Sequence, residues 1–227
     1  IKYEHVLPPI EHILNDILNA SSDVDFVGIL ASGKQFKGFA NSFGQENYFE
    51  TEHFNLDFSL YHEKDKAVKS AYAGFKWDKN RLKQTVEQAK QELSILKQTS
   101  KTITPGAYRA YLAPAALAEI MQMVCWGGFS EKSHQTKTSA LLPMRQQQQH
   151  LHPNLHLIEN TRAGVAPNFQ TEGFIKPDHV SLIEKGKLNH CLISPRTAKE
   201  YQLKSNSANA EETPEALELS AGTLEQQ

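Results

Sequence analysis

The chain has 227 residues with 24 basic and 26 acidic side chains, which gives a formal net charge of −2 at pH 7. This length allows one large hydrophobic core or two ordinary ones. The balanced charge argues against a surface built for nucleic acid or an anionic membrane, and no apolar run approaches the ~20 residues that span a bilayer. The only two cysteines, Cys125 and Cys191, form no CxxC motif, which predicts a reducing, cytoplasmic setting.

The first part of the chain predicts a helix and the start of an antiparallel β-meander. Isoleucine and leucine recur at helical spacing over 10–19, which indicates a helix with one apolar face. Alternating residues over 23–30 and 35–40 predict two strands, and Ser32-Gly33 between them predicts a tight turn. The predicted apolar face of the helix consists of Ile10, Ile13, Leu14 and Ile17.

The meander continues with the clearest strand pattern in the sequence. Over 54–61 large apolar residues alternate with polar ones, and a further strand is predicted over 66–77, so that the meander has roughly four or five strands. Asp78 is the expected N-cap of a long helix over 79–98 that covers one face of the sheet. The polar segment 100–105 then predicts a domain boundary. The buried stripe of the long helix is expected at Leu82, Val86, Ala89, Leu93 and Leu96.

The stretch from Pro105 to Met144 predicts a strand followed by an apolar helix. Residues 108–112 alternate as in a strand, and the helix starts at a proline and ends at Gly127-Gly128. We expect Glu119 to point away from the buried side of this helix. The buried stripe is predicted at Leu117, Ile120, Met121 and Val124.

The same helix carries part of a metal-binding pattern. A catalytic zinc helix holds its metal with two imidazoles in a pattern such as His-Glu-x-x-x-His, and the glutamate is the general base for a metal-bound water. The six residues here read Ala118-Glu119-Ile120-Met121-Gln122-Met123. Alanine has no donor atom, and an uncharged thioether is too soft to hold zinc by itself. The simplest interpretation of Glu119 is therefore a solvated residue on an amphipathic helix.

Three histidines, His150, His152 and His156, lie in and after a glutamine-rich segment at 145–150. Histidines so close together suggest a metal site, but Pro153 breaks any helix and the spacing is not that of a zinc helix. An exposed polar loop is the favoured interpretation.

The C-terminal part predicts a β-hairpin and a short helix. Strands over 179–184 and 187–193 flank Lys185-Gly186, and a helical segment follows at 196–201. After Leu203 the chain becomes polar, which predicts a loop or disorder. Because the sequence starts without methionine and ends in a polar, glutamate-rich stretch, we expect it to be a piece of a longer protein, incomplete at both ends.

Three runs of the sequence carry a family resemblance. They are DFVGILASGKQFKGFANSFGQ (25–45), FNLDFSLYHEKDKAVKSAYAGFKWD (54–78) and EGFIKPDHVSLIEKGKLNHCLISPRTAKEYQL (172–203). These runs resemble the TldD/PmbA family, in particular its TldE-like branch. The resemblance keeps the order of segments over nearly the whole chain, and the hairpin with its IE-x-G-x-L turn is the most family-like part.

The resemblance implies a two-domain α+β protein, with an antiparallel meander and packed helices followed by a β-rich domain. Residues 1–104 would form the later part of the N-terminal domain, and 105–227 the first part of the C-terminal domain. In the active branch the central helix carries the zinc-binding His-Glu-x-x-x-His, and the enzyme cleaves unfolded peptides. Only Glu119 falls on this motif, at the position of the general base. Ala118 and Met123 occupy the histidine positions, so Glu119 is not expected to be catalytic, and a further family ligand lies beyond this sequence.

The resemblance leaves three functions open. The first is a TldE/PmbA-like subunit with no metal or cofactor of its own, paired with a zinc-bearing TldD-like paralogue or with a second copy of itself. The second is a self-sufficient metallopeptidase that draws its ligands from His134, His150, His152 or Cys125. The third is a non-catalytic peptide- or protein-binding module. We favour the first because zinc needs three or four convergent donors.

A peptide-handling subunit needs surfaces that hold extended chains. Strand edges and the pair Met121 and Met123 are the candidate contacts, since a peptide can add to a sheet edge. The balanced charge gives no support to the name "modulator of DNA gyrase", which the family also bears.

Overall fold

The computed structural model describes residues 7–63 and 66–222 and has the predicted α+β fold, with helices and antiparallel sheets. The chain divides into two compact units. One unit is built from the described parts of Tyr3–Gln35 and Glu50–Leu117, and the other from those of Phe36–Phe49 and Ala118–Gln227. Within the described ranges, no helix is long and apolar enough to cross a membrane. The boundary predicted between residues 104 and 105 stays a prediction.

A three-stranded sheet forms the first half of the structure. Its strands are β1 (Asp25–Ala40), β2 (Glu46–His62) and β3 (Lys66–Gly74), in the order β1-β2-β3. β2 and β3 pair antiparallel, from Phe54 opposite Gly74 to His62 opposite Lys66.

The predicted tight turn at Ser32-Gly33 is wrong, because β1 runs through these two residues without interruption. The two strands predicted over 23–30 and 35–40 are therefore one, and the described meander has three strands rather than four or five.

The chain instead reverses at residues 41–45, where the side chain of Asn41 organises the turn. Its Oδ1 accepts hydrogen bonds from the backbone N–H of Phe43 at 3.0 Å and of Gln45 at 3.2 Å. Asparagine commonly stabilises a turn through such a local side-chain bond. Gly44 supplies the left-handed backbone, with a φ of 79°. These contacts fix where β1 ends and β2 begins.

Two helices and one face of the sheet enclose the first core. These helices are α1 (Ile10–Ala20) and α2 (Lys79–Leu96), and both form where the sequence predicts them. The alternation over 54–61 is confirmed, since Phe54, Leu56, Phe58 and Leu60 are all buried. The helix faces are narrower than predicted because Ile10, Leu14 and Leu96 lie at their solvent edges and are exposed.

The predicted N-cap of α2 is confirmed. The carboxylate of Asp78 accepts hydrogen bonds from the backbone N–H of Asn80 at 2.8 Å and of Arg81 at 3.2 Å. The backbone of Asp78 is also held by the Tyr72 hydroxyl, which accepts from its N–H and donates to its carbonyl. The start of α2 is therefore tied to β3.

The second half of the chain contains short helices around a small sheet. Its helices are α3 (Pro114–Cys125), α4 (Glu131–Gln135), α5 (Leu142–Arg145) and α6 (Pro195–Tyr201), with a 3₁₀ turn at Thr161–Ala163. Its strands are β4 (Leu157–Asn160), β5 (His179–Glu184), β6 (Lys187–Leu188) and β7 (Leu217–Leu219), in the order β6-β5-β4-β7. The β5–β6 hairpin turns at Lys185-Gly186 as predicted, with φ values of 50° and 73° that suit a type I′ turn. The second strand ends at Leu188 rather than at 193.

Two predictions for this half are wrong or incomplete. Residues 108–112 form no strand, and the side chains of Tyr108, Tyr111 and Leu112 are exposed. An alternating pattern alone does not make a strand, since a strand needs a partner for its backbone groups. The segment after Leu203 is a loop as predicted, but it returns to the sheet as β7.

The tip of the β1–β2 hairpin belongs to the unit that contains the described part of Ala118–Gln227, called the second unit below. Gln45 and Asn47 donate side-chain hydrogen bonds to the carbonyl of Gly173 at 2.6 and 3.2 Å. A Cβ on Gly173 would lie 2.3 Å from the ring of Phe39, and its φ is 85°. Only glycine fits this position, because it tolerates both the close ring and the left-handed backbone.

We expect loss of the Asp78 cap to destabilise α2. Asp78→Ala removes the side-chain acceptor of these two N–H groups and should lower the free energy of unfolding by about 1 kcal/mol, measured by urea denaturation. Asp78→Asn keeps a capping oxygen and should remain close to wild type. Equal losses in the two variants would contradict the capping role.

Candidate functional site

The helix that carries Glu119 lies with its motif residues at the surface. Ala118 and Glu119 are exposed, and Met123 is 74% exposed. These side chains therefore line a surface that a partner or a ligand can reach. The direction predicted for Glu119, away from the buried side, is confirmed.

The buried side of α3 differs from the predicted stripe. Met121 and Val124 pack against the second core as predicted, and Cys125 joins them, while Ile120 is 42% exposed. The prediction for Ile120 is wrong because the side of α3 that packs against the core consists of Met121, Val124 and Cys125. Ile120 lies next to this side and faces solvent. The second core itself contains Phe129, Met144, Leu157, Val180, Leu182, Ile183, Leu192 and Ala208.

The carboxyl end of α3 is held by a histidine. Gly127 has a φ of 80°, which ends the helix in the left-handed conformation. The carbonyl of Gly128 then accepts from Nε2 of His134 at 2.9 Å and from the Ser139 hydroxyl at 3.0 Å. His134 is 3% exposed, and burial lowers its pKa. A neutral imidazole with its proton on Nε2 fits these contacts.

One buried carboxylate links the starts of two helices. Glu212 is 1% exposed and accepts from the Ser130 hydroxyl at 2.7 Å, Lys132 N at 2.9 Å and Ser194 N at 2.8 Å. Ser130 and Ser194 are the N-caps of α4 and α6. Burial raises the pKa of Glu212, but the hydrogen bonds from Lys132, Thr197 and Ser194 outweigh it, so the pKa lies below its ordinary value.

A second buried carboxylate is held by an arginine fork. Glu131 accepts two hydrogen bonds from Arg145, both at 2.8 Å, and a third from Gln135 at 2.7 Å. Burial raises the pKa of Glu131, but the hydrogen bonds from Arg145 and then Gln135 lower it by more. The pKa therefore lies below its ordinary value and the carboxylate stays ionised. Paired, charge-assisted bonds of this type are among the strongest in proteins. They join α4 to the end of α5.

A third buried carboxylate, Glu159, lies within β4. Glu159 is buried and accepts from the backbone N–H groups of Glu215 and Ala216 at 2.9 and 3.1 Å, and burial raises its pKa. Lys176, also buried, donates to Glu215, and burial lowers its pKa. These contacts hold the returning chain against β4.

The alternative metal ligands do not converge. His150 and His152 are exposed in the loop after α5, and Nδ1 of His152 accepts from Asn154 N. His134 is buried and bonded to Gly128, and Cys125 is half-buried. Across residues 7–63 and 66–222, no three His, Cys, Asp or Glu side chains are grouped to hold a metal ion.

The two thiols also differ from reactive cysteines. Burial, and then the charge of Glu159, raises the pKa of Cys125 to about 11. Burial, and then the charge of Glu131, raises the pKa of Cys191 to about 12. The thiolate is the nucleophile and the metal ligand, so both cysteines are poorly prepared for either role at neutral pH.

Sequence reasoning missed Glu131, Glu159 and Glu212. A single glutamate in a polar segment gives no signal of burial, because glutamate is almost always exposed unless paired. The Ser194-Pro195 start of α6 was a usable signal, since serine at the N-cap followed by proline is typical of a helix start. This signal locates Ser194, which donates to Glu212, but it does not indicate that Glu212 is the acceptor.

Comparison with known proteins assigns the family. The family model described as "PmbA/TldA metallopeptidase C-terminal domain" matches residues 105–223, more than half of the chain. The chain belongs to the PmbA/TldD family. No curated protein sequence matches it.

Solved structures of PmbA/TldD proteins share the fold. A proposed modulator of DNA gyrase from Thermotoga maritima superposes with a TM-score of 0.70 at 15% identity, over 94% of this chain and 51% of that one. A proposed modulator of DNA gyrase from Bacteroides thetaiotaomicron gives 0.64 at 17% identity, over 95% and 51%. TldE from Thermococcus kodakarensis gives 0.64 at 16% identity, over 87% and 46%. The chain therefore spans about half the length of these PmbA/TldD proteins.

We expect the Glu212 contact to be essential for the stability of the second unit. Glu212→Ala leaves the donors of the buried Ser130 and Ser194 and the N–H of Lys132 without this acceptor, and should cost roughly 3 kcal/mol or more of unfolding free energy. The neighbouring exposed Glu211→Ala is the matched control and should stay within about 0.5 kcal/mol of wild type. A similar loss in both variants, measured by urea denaturation, would argue against the contact.

Acid should remove the contribution of Glu131. Its pKa is lowered from 4.5 in the folded chain, so the stabilisation is complete above the unfolded pKa and is lost as pH falls through the folded pKa. The difference in unfolding free energy between wild type and Glu131→Gln should therefore shrink steadily below about pH 4.5. Denaturation curves between pH 7 and pH 3 measure it, and a difference independent of pH would disprove the assignment.

Proposed function

We propose that this chain is a TldE/PmbA-like subunit of a TldD/TldE-type metallopeptidase system that acts on unfolded peptides, and that it does not itself hold zinc. The observation that carries the proposal is on α3, where Ala118 and Met123 flank the exposed Glu119. Family membership and the shared fold with a TldE support the same assignment.

The chemistry of these three side chains does not suit zinc. A zinc helix needs nitrogen, thiolate or carboxylate donors, and Ala118 offers a methyl group while Met123 offers a neutral thioether. Glu119 alone supplies one oxygen donor. A general base for hydrolysis also needs a metal-activated water to deprotonate. We therefore assign zinc to a TldD-like partner and give Glu119 no catalytic role.

The alternative of a self-sufficient metallopeptidase has less support. Within the described residues His134 is engaged by Gly128, and His150 and His152 lie on an exposed loop. The pKa of the Cys125 thiol is raised to about 11, which disfavours the thiolate that a metal requires.

The outer side of α3 is suited to contact another chain. Met123 is 74% exposed and Ile120, about one turn before it, is 42% exposed, while Trp126, directly after the helix, is 89% exposed. Exposed apolar side chains at this spacing favour contact with a partner or with an extended peptide. Met121, by contrast, packs against the core, so Met123 is the better contact of the methionine pair.

Metal content and peptide cleavage test the proposal together. We expect the purified chain to contain no stoichiometric zinc by elemental mass spectrometry and to cleave no unfolded peptide alone, with chelator-sensitive cleavage when a TldD-like protein is added. Stoichiometric zinc and chelator-sensitive cleavage by the chain alone would overturn the proposal. Stable peptide binding with no effect on a TldD-like protein would support a simple binding module instead.

Substitution of Glu119 should leave the reaction intact. In the mixture with a TldD-like protein, Glu119→Gln should retain kcat/KM within about twofold, since no chemical step uses this carboxylate. Met123→Asp changes a contact on the same exposed side and should raise KM or weaken association. A loss of kcat of about 100-fold or more in Glu119→Gln would identify it as a general base.

A further inference from the structure

The contact at the carboxyl end of α3 contains one group that titrates near neutral pH. His134 and Ser139 both donate to the carbonyl of Gly128, at 2.9 and 3.0 Å, and these two hydrogen bonds together form the Gly128 contact. The two donor atoms lie 3.2 Å apart. Of the two, only the imidazole takes up a proton between pH 5 and pH 8. His134 is therefore the member of the Gly128 contact through which pH can act.

The second nitrogen of the His134 ring has no acceptor. Within residues 7–63 and 66–222, Nδ1 makes no hydrogen bond, and the atoms around it keep it out of contact with solvent. This chain itself covers Nδ1, so another chain could supply an acceptor only after the site opens. A neutral imidazole with its proton on Nε2 leaves only a lone pair at Nδ1. An imidazolium carries an N–H there as well, and this donor would be buried without a partner.

The charges around the His134 ring do not remove this penalty. Glu131, one turn earlier on α4, favours a charged ring, but its carboxylate already accepts two hydrogen bonds from Arg145. Arg145, at the end of α5, opposes a second positive charge. The segment 138–141 contains no ionisable side chain, and Cys125, in the last turn of α3, is a neutral thiol because its pKa is about 11. Burial prevails and lowers the pKa of His134.

We propose that His134 makes the carboxyl end of α3 pH-sensitive. In the closed form the neutral ring donates to Gly128, and in the open form a ring protonated at Nδ1 has left the site and is hydrated. Only a proton from solvent is gained, and it returns when the site closes. The Ser139 hydroxyl donates to Gly128 at every pH, so acid raises the share of the open form without removing the whole contact.

The pH range follows from the protonation of the ring in the two forms. In the open form the hydrated imidazole has a pKa near its ordinary value of about 6.5, and in the closed form burial lowers the pKa. The closed form is therefore most stable above about pH 6.5 and loses stability as pH falls below it. For an open-form pKa of about 6.5, the ratio of open to closed form rises by up to about tenfold between pH 7.5 and pH 5.5.

Two other features of the molecule are separate from this effect. The pKa of Glu131 is lowered from 4.5, so its carboxylate remains ionised throughout the range from pH 7.5 to pH 5.5. Neither zinc nor a TldD-like partner enters the argument for His134. The inference therefore does not rest on the proposed function, and either can fail without the other.

Hydrogen exchange followed by mass spectrometry measures the opening. The backbone N–H of Gly128 donates to the carbonyl of Val124 at 3.0 Å, so it is expected to exchange when the end of α3 opens. Exchange of the segment 124–130, divided by the intrinsic rate at each pH, should rise severalfold and up to about tenfold from pH 7.5 to pH 5.5. Amides of α2, which contains no histidine, are the internal reference and should show no such rise.

Substitutions assign the pH response to one histidine. His134→Gln keeps an amide N–H as donor but takes up no proton in this range, so its exchange over 124–130 should be the same at both pH values. His134→Ala loses the donor and should exchange faster than wild type at pH 7.5, again without a pH response. The exposed His150→Gln is the matched control and should keep the wild-type response.

Nuclear magnetic resonance of the imidazole gives a second measurement on the unaltered chain, which does not depend on the folding of a variant. The ring nitrogens of His134 should show the proton on Nε2 at pH 7.5 and a titration midpoint below about 6.5. These two results, with a pH response that disappears in His134→Gln and persists in His150→Gln, support the inference. An imidazole midpoint at or above 6.5 would rule it out. Exchange over 124–130 that does not change with pH, or that changes equally in His134→Gln, would do so too.

Discussion

The buried carboxylate of Glu212 is the contact on which the second unit depends. It lies in the loop after α6, 82 residues beyond Ser130, and yet it accepts hydrogen bonds at the start of both α4 and α6. A helix of five or seven residues has little stability of its own, so its unpaired N–H groups need an external acceptor. One negative charge at two helix starts is also favourable to both helix dipoles.

The position of α3 follows from this arrangement. Ser130 joins the Glu212 contact, and four residues further on His134 holds the carbonyl of Gly128 at the end of α3. The adjacent Glu131–Arg145 fork fixes the same segment from the other side. With its end held in this way, α3 packs the partly buried Met121 and Val124 against the second core, while Glu119 and Met123 stay at the surface.

The outer side of α3 remains exposed. Ile120 and Met123 lie there together with Glu119 and Gln122, and Trp126, directly after the helix, is almost fully exposed.

Local sequence patterns were sufficient to predict those strands, caps and turns that depend only on residues close together in the chain. Alternation over 54–61, the Asp78 cap and the Lys185-Gly186 turn each lie within a few residues, and the structure confirms all three. The family resemblance, carried by longer runs, is confirmed too. Local patterns failed where a neighbour decides the outcome. Residues 108–112 alternate but have no partner strand, and Ser32-Gly33 lies within a strand because Asn41 makes the turn later.

The sequence by itself thus determined the α+β class, the main helices, the hairpin and the absence of histidine around Glu119. Only the tertiary structure decided which charged residues are buried, since Glu131 and Glu212 look like ordinary surface glutamates until donors from other elements surround them. It also decided that β1 is one continuous edge strand. Burial of a charge and exposure of an edge both depend on what lies beside a residue in space, and a pattern along the chain does not contain that information.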